Sequence, residues 1–526
     1  MYDSLCSAII RARIRLLSFS IMLYYRNLGY STCLPHLIQT ISTDPNLFLI
    51  DFTLFNPLIS YVAMDLLRSK FLRRILSSRY YPISAQIFTF LCFALLIAGG
   101  LAVPHVSEKI AGTLRNTNLA ALIVWSLWWP LVIISAVLFG RIWCQVCPME
   151  LINSLFSKIG LRRRVPRFFT SGWGITLFYS LALLGFIRTF WAHRFPERMA
   201  FFFLFLFATA MVVGFVYEKR AFCDYLCPVG RLLGLYSCCS LFEWRARDKE
   251  ICKKCKTKDC VAPQNAYTMT ARSCTSNLYP PKIKDNRSCL VCTNCLKVCP
   301  YKNLSFSLRK PMSDLFSSIK LSAAEFFLLF LASGLAVWEI SEEWSAAEEV
   351  MLYIPDHITS WLGASGELGH LIHALVLFMG LPAVLFLIPG IIGKYVNRTS
   401  LMDSLKTFSL IFLPVVALTH MLKALFRITS RLPYYPLAVK DPIGYKTAEL
   451  LLSGDISLNK HLPSLLSPYL SAAALLIFAG AMASVWMVGI KSPAFKFLKR
   501  EGKIPYVASA VVYCLVLITA TIFARF

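Results

Sequence analysis

Residues 119–148 read LAALIVWSLWWPLVIISAVLFGRIWCQVCP. The run from 119 to 140 carries no charged side chain and is long enough for a helix to cross a bilayer, which takes about 20 apolar residues. At its end come Arg141, an aromatic residue, two cysteines two residues apart and a proline. Residues 199–228, MAFFFLFLFATAMVVGFVYEKRAFCDYLCP, repeat the plan: an apolar run, then Arg220, Phe222, Cys223, three residues, Cys227 and Pro228. Each copy closes a pair of apolar spans, so both motifs emerge on the same face of the membrane. Cys144 and Cys147 give half the thiolates an iron–sulfur cubane needs, and Cys223 and Cys227 give the other half. The competing reading is a pair of structural or regulatory dithiols. The spacing differs by one residue between the copies.

Outward from this repeat, the apolar window yields nine candidate spans: 86–103, 119–140, 174–192, 199–217, 321–340, 369–391, 405–426, 468–490 and 505–524. The whole chain of 526 residues is 57% hydrophobic and 16% charged, with a mean hydropathy of +0.60. Soluble, disordered and fibrous classes carry more charge or less apolar mass. The net charge of +26 would suggest nucleic acid on a soluble protein. On a chain of spans it points to Lys- and Arg-rich cytoplasmic loops in contact with lipid, and no nucleic-acid partner is expected. Basic loops before the first span, after the second and after the eighth contrast with 321–393, which has eight acids and no Lys or Arg. The positive-inside rule then puts the rim motifs in the cytoplasm of a bacterial inner membrane, although 427–466 carries five Lys or Arg on the predicted outside. Residues 1–64 read as an amphipathic surface helix, a further span or a misplaced start, and no signal-peptide order is seen in them. The expected organisation is 1–80 as a basic amino-terminal region, 81–217 as a four-helix repeat and 218–320 as a cytoplasmic insert. A five-helix membrane domain over 321–526 completes it. The fold class is an all-α polytopic membrane protein with a small α+β ferredoxin-like insert.

The insert holds 19 Lys and Arg against 8 Asp and Glu. Within it stands Cys289-x2-Cys292-x2-Cys295-x3-Cys299-Pro300, three thiolates spaced to wrap one cubane corner and a fourth before proline that reaches to a second cluster. A zinc site would more often pair CxxC with a distant CxxC or His pair. Upstream lie Cys252, Cys255, Cys260 and a detached Cys274. If the two motifs exchange fourth ligands, the sets are Cys252, Cys255, Cys260 with Cys299, and Cys289, Cys292, Cys295 with Cys274. The alternative for Cys274 is a free loop thiol. Two [4Fe–4S] clusters are therefore expected in the insert and a third at the rim.

The paired rim motifs and the eight-cysteine insert, over about 86–310, resemble the membrane polyferredoxins of the NapH and NosR type. The resemblance implies electron transfer through [4Fe–4S] clusters coupled to a quinone pool, with a quinol dehydrogenase component as the enzymatic possibility. The chain departs from that pattern. No flavin-binding domain precedes the first span, the first rim motif is one residue short, and five spans come after the insert.

In those spans, His370 and His373 open the sixth and His420 lies in the seventh at a similar depth, with Lys423 and Arg427 on its helical face. Buried ionisable residues in membranes are costly and functional by default. A b-type haem held by His420 with His370 or His373 is one reading, and a quinol site is another. Rim histidines solvated by water are the third. The glycines around the sixth span are explained by close helix packing. The leading function is a redox conduit between a cytoplasmic or quinone donor or acceptor and a respiratory partner. An acidic soluble redox protein is a further candidate partner for the basic insert. The alternative from another class is an assembly factor that reduces a metal centre, which would want a Met- or His-rich stretch that the sequence lacks. A transporter would need an intramembrane charged relay, and the clearest spans show none.

Overall fold

The structure is a computed structural model that describes residues 65–104, 107–268, 271–317, 319–342 and 344–525. The readings offered for residues 1–64 lie outside the described residues, and Ala63–Phe526 forms one compact unit. Among the described residues, eight helices are long and apolar enough to cross a membrane: Ile83–Leu101, Leu119–Phe139, Pro196–Val216, Ala323–Ser341, Gly366–Asn397, Leu401–Lys440, His461–Lys491 and Arg500–Ile522. A shorter apolar helix, Trp173–Thr189, stands where the third span was expected. In order along the chain these are the first to ninth spans. The chain is thus a mostly helical, multi-pass membrane protein.

The seventh span is the hub. Its most apolar window is 83% buried, against 22–44% for the first, second and fourth spans. Phe408 and Phe412 stack on one another at 5.2 Å and meet Phe386 of the sixth span edge-on. Lipid tails are as apolar as these side chains, so close packing rather than water avoidance holds such helices together. Gly390 and Gly393 serve that packing: a Cβ on Gly390 would meet Leu405, and one on Gly393 would fall on the Tyr506 ring. A Cβ on Gly366 would meet open space and one on Gly380 only Val376 at 4.0 Å, so close approach does not explain those two.

Between the fourth and fifth spans the chain leaves the bundle. Strand β1 (Phe242–Ala246) pairs antiparallel with β2 (Leu304–Leu308), Trp244 facing Phe306 in register. This two-stranded ribbon is too small to stand by itself, and it closes over Leu67, Val291 and Leu296. Before β1, however, the helix Gly230–Tyr236 turns back among the spans. Leu232, Leu233, Leu235 and Tyr236 are fully buried with Val132 and Ile133 of the second span and Phe408 of the seventh in one core.

Candidate functional site

Each rim motif is built on a short helix begun by its arginine: Ile142–Val146 after Arg141, and Ala221–Tyr225 after Arg220. Both guanidiniums are buried, so each needs partners inside the protein. Arg220, 1% exposed, pairs through Nε with Glu150 at 3.2 Å and through Nη1 with Asp224 at 3.6 Å. Glu150, 2% exposed, also receives Arg272 of the insert, Gln86 of the first span and Ser154. Burial alone would raise the Glu150 carboxyl, but Arg272 and Arg220 outweigh it and hold it below its ordinary value. Arg141 donates from Nη1 to the carbonyl of Arg287 at 2.9 Å. Asn153 ties the copies together, accepting from Phe222 N–H at 2.9 Å and donating to the Lys219 carbonyl at 3.0 Å.

This scaffold brings the four rim cysteines together. Burial pushes the Cys147 thiol up, and Cys227 and Cys144 add to it. Cys223 is raised by burial and by Cys227, Glu150 and Cys147 against the pull of Arg220. Cys227 is raised by burial and then by Cys144. Thiols that repel one another's ionised forms across the two copies stand in one electrostatic group. Trp143 packs on Trp128 at 5.7 Å beside them, and Phe222 is fully buried.

The insert cysteines form two more groups. Cys260 is raised to about 11 by burial, then by Cys299, Cys252 and Cys255. Cys252 is raised by burial and, among its neighbours, by Cys299 and Cys255. Cys274 is raised to about 12 by burial, then by Cys292, with Cys289 adding. Cys295 is raised by burial and by Cys292, Cys274 and Cys289. The fourth member of each group thus comes from the other motif. Cys289 and Cys227 both feel the charge of Arg141, so one guanidinium acts on a thiol of the second insert group and on a thiol of the rim group.

Among the described residues, no three His, Cys, Asp or Glu side chains close on a point suited to a single metal ion. The fit to a cluster is tested by the donors aimed at sulfur. Cys227 Sγ accepts from Gly230 N–H at 3.3 Å, and Cys274 Sγ from Leu278 N–H at 3.3 Å. Cys295 Sγ accepts from Trp244 Nε1 at 3.1 Å, and Cys252 Sγ from Asn303 Nδ2 at 3.3 Å. Such donors suit thiolate ligands and tune a cluster's potential. Held as thiolates, four such buried sulfurs would need positive charge among them, which iron would supply. Cys238 and Cys239 lie in the apolar core and join none of these groups.

A cavity of about 90 Å³ lies toward the end of the bundle away from the insert. His420, Lys423 and Arg427 all line it, with Glu339 and Glu342 of the fifth span, whereas His370 and His373 do not. His370 stacks on Trp191 at 4.1 Å, and His373 Nε2 faces Asp356 at 3.3 Å. The structure therefore does not gather the histidines into one pair. His420, 1% exposed, hydrogen-bonds through Nδ1 with Tyr236 Oη at 3.0 Å, while its buried Nε2 has no hydrogen-bond partner among the described residues and stands 3.7 Å from Glu339. Lys423 pairs with Glu342 at 3.6 Å. Glu339 beside His420 is the intramembrane acid–base pair that the sequence reading did not find. Its signal was a glutamate inside an otherwise apolar run. Tyr236 carried no signal, since its helix reads as part of the insert.

A family model described as a 4Fe-4S binding domain matches the chain twice, at 121–167 and 199–245, each match holding one rim motif. The chain is 31% identical over 109 residues to the putative electron transport protein YccM of Escherichia coli, covering 20% of this chain and 27% of that one. It is 24% identical over 232 residues to the ferredoxin-type protein NapH of Haemophilus influenzae, covering 41% of this chain and 74% of NapH. A third relative, protein NirI of Paracoccus denitrificans, is 27% identical over 183 residues, covering 30% of this chain and 26% of NirI. The match to the Escherichia coli protein thus spans about a quarter of that relative's length. No solved structure matches.

Proposed function

We propose that this chain, a membrane protein of the polyferredoxin type that transfers electrons through iron–sulfur clusters, forms one continuous route from the insert to a quinone site inside the bundle. The supporting observation is the junction at Tyr236. Its helix begins at Gly230, whose N–H donates to Cys227 Sγ, and ends at the hydroxyl bonded to His420. Seven residues at about 1.5 Å each separate the rim from the cavity by roughly 10 Å.

In this reading the three groups of four cysteines hold three [4Fe–4S] clusters, each supplying one-electron transfer when assembled. Cys252, Cys255, Cys260 and Cys299 hold the first. Cys274, Cys289, Cys292 and Cys295 hold the second, and Cys144, Cys147, Cys223 and Cys227 hold the rim cluster. The aromatic and apolar wall around Trp125 and Trp129 suits a quinone ring. His420 Nε2, with Glu339 behind it, is the acceptor for a proton from a quinol hydroxyl. Assembled clusters would take up a quinol's two electrons one at a time, and His420 and Glu339 would each take one of its two protons. Positive-inside charge puts the insert in the cytoplasm of a bacterial inner membrane, where its net positive charge would steer an acidic soluble partner.

Anaerobically purified protein should hold about twelve iron atoms per chain, and Cys223→Ala about eight. Electron paramagnetic resonance on reduction with a quinol should show cluster signals that vanish in His420→Ala while iron stays constant. Iron near eight in the unaltered chain removes the rim cluster. Undiminished quinol reduction in His420→Ala removes the quinone site.

A further inference from the structure

The lining of the cavity presents a problem of charge that the electron route leaves unexplained. Among the described residues, five Lys or Arg side chains line the cavity with two carboxylates, Glu339 and Glu342, and two of the five, Lys423 and Arg431, are themselves engaged. Those carboxylates are already engaged. Glu339 lies near His420 and 4.0 Å from Arg427, and Glu342 lies near Lys423 and 4.0 Å from Arg427. Arg115, from the helix Glu108–Thr117, and Arg188, at the end of the third span, make no ion pair among the described residues, and their buried Nε atoms have no hydrogen-bond partner there. Arg188 has aromatic faces beside it, Phe378 at 5.0 Å and Trp338 at 5.7 Å.

The strain of this arrangement shows in its neighbours. Burial, then Arg427 and Arg431, pulls Arg115 down to about 9. His193, whose Nδ1 meets the Ile187 carbonyl at 2.7 Å, is held well below its ordinary range by burial, Arg188 and Arg115. Glu342 and Glu339 act on Arg188, and Glu342 on Arg115, only as charges beyond ion-pair distance. Buried guanidinium donors left unpaired are costly, and the planar fork of arginine matches the oxygens of phosphate-type anions two at a time.

We propose that the part of the cavity lined by Arg115 and Arg188 is an oxyanion site in which they grip a phosphate-type group, supplied by a free anion or by the headgroup of an anionic lipid. The site goes beyond the quinone reading and does not depend on it, because binding needs no electron transfer.

The test uses the full chain in phosphatidylcholine nanodiscs and equilibrium binding of radiolabelled inorganic phosphate at constant ionic strength, with chloride as competitor. The unaltered chain should hold phosphate that chloride does not displace. Arg115→Gln and Arg188→Gln should each weaken it by roughly tenfold or more, the loss of one charged hydrogen-bonding partner. Arg164→Gln, an exposed arginine that does not line the cavity, should leave it unchanged. In a second arm, discs containing phosphatidylglycerol are examined by native mass spectrometry. One phosphatidylglycerol retained by the unaltered chain and lost from Arg115→Gln, with no free phosphate bound, assigns the site to lipid. An unaltered chain that retains neither phosphate nor phosphatidylglycerol overturns the proposal, as do arginine variants that bind both like the parent.

Discussion

After Cys147 the chain enters the helix Pro148–Ile159, which lies along the fourth span, whereas after Cys227 it enters Gly230–Tyr236, which turns inward to His420. The two copies of the motif begin with the same residues in nearly the same order. The residues beyond each proline decide what that copy does. Pro148 occupies the first helical turn with Glu150 close behind, a favourable start for a helix. That helix carries Glu150 and Asn153, the side chains that fasten the second copy and the insert. In the second copy Pro228 is succeeded by Gly230, where a Cβ would come within 3.2 Å of Arg141 Nη2 and the Cys223 carbonyl. The first copy is thus the clamp and the second the connection. A duplicated sequence motif fixes the thiols, and the flanking residues divide the labour.

The largest effect should come from breaking the clamp. Arg220→Ala leaves Glu150 buried with one fewer counter-charge and should cost about 3–5 kcal/mol. Arg141→Ala removes a charged hydrogen bond and should cost less, about 1.5–3 kcal/mol. Thermal unfolding of both variants in the same nanodiscs reads the difference, and equal losses would erase the distinction between the copies. Next, the double variant Arg220→Ala with Glu150→Gln should be less damaged than the sum of the single changes, with a coupling of about 0.5–3 kcal/mol. Additive losses would mean that Glu150 does not bridge the copies.

Smaller in stability but sharper in function is Tyr236→Phe. Loss of its hydrogen bond to His420 should cost about 0.5–1.5 kcal/mol and leave iron unchanged. Quinol-driven cluster reduction should slow in this variant and stay normal in Ser154→Ala, which removes a hydroxyl bonded to Glu150 in the first copy. The smallest shift is expected from Trp244→Phe, which removes the donor to Cys295 Sγ. One such bond corresponds to a cluster potential about 20–60 mV more negative, measured by redox titration.

Much of the frame was legible from local chemistry. Spans stand where uncharged runs of bilayer length occur, and the long run 119–140 appears as Leu119–Phe139. Cys274, detached in the sequence, feels the charge of Cys292 and Cys289, the motif its spacing left one thiol short. The cavity was not legible in the same way. Arg115, Arg188, Glu339 and His420 come from four separate helices, and spacing along one chain says nothing about which helices become neighbours. His370 and His420 matched in depth, yet depth leaves rotation about the helix axis open. His370 turned toward Trp191 and His420 toward Tyr236. Gly230–Tyr236 misled for a related reason. Seven residues are too few to register as a span, though they sit among spans.

The bond between Tyr236 and His420 joins positions 184 residues apart. A ribosome releases Tyr236 long before His420, so the inward helix can pack on the second span early but cannot make this bond until the seventh span has entered the bilayer. The seat of this short segment is thus completed late, and the proposed electron path could close only after the seventh span is in place.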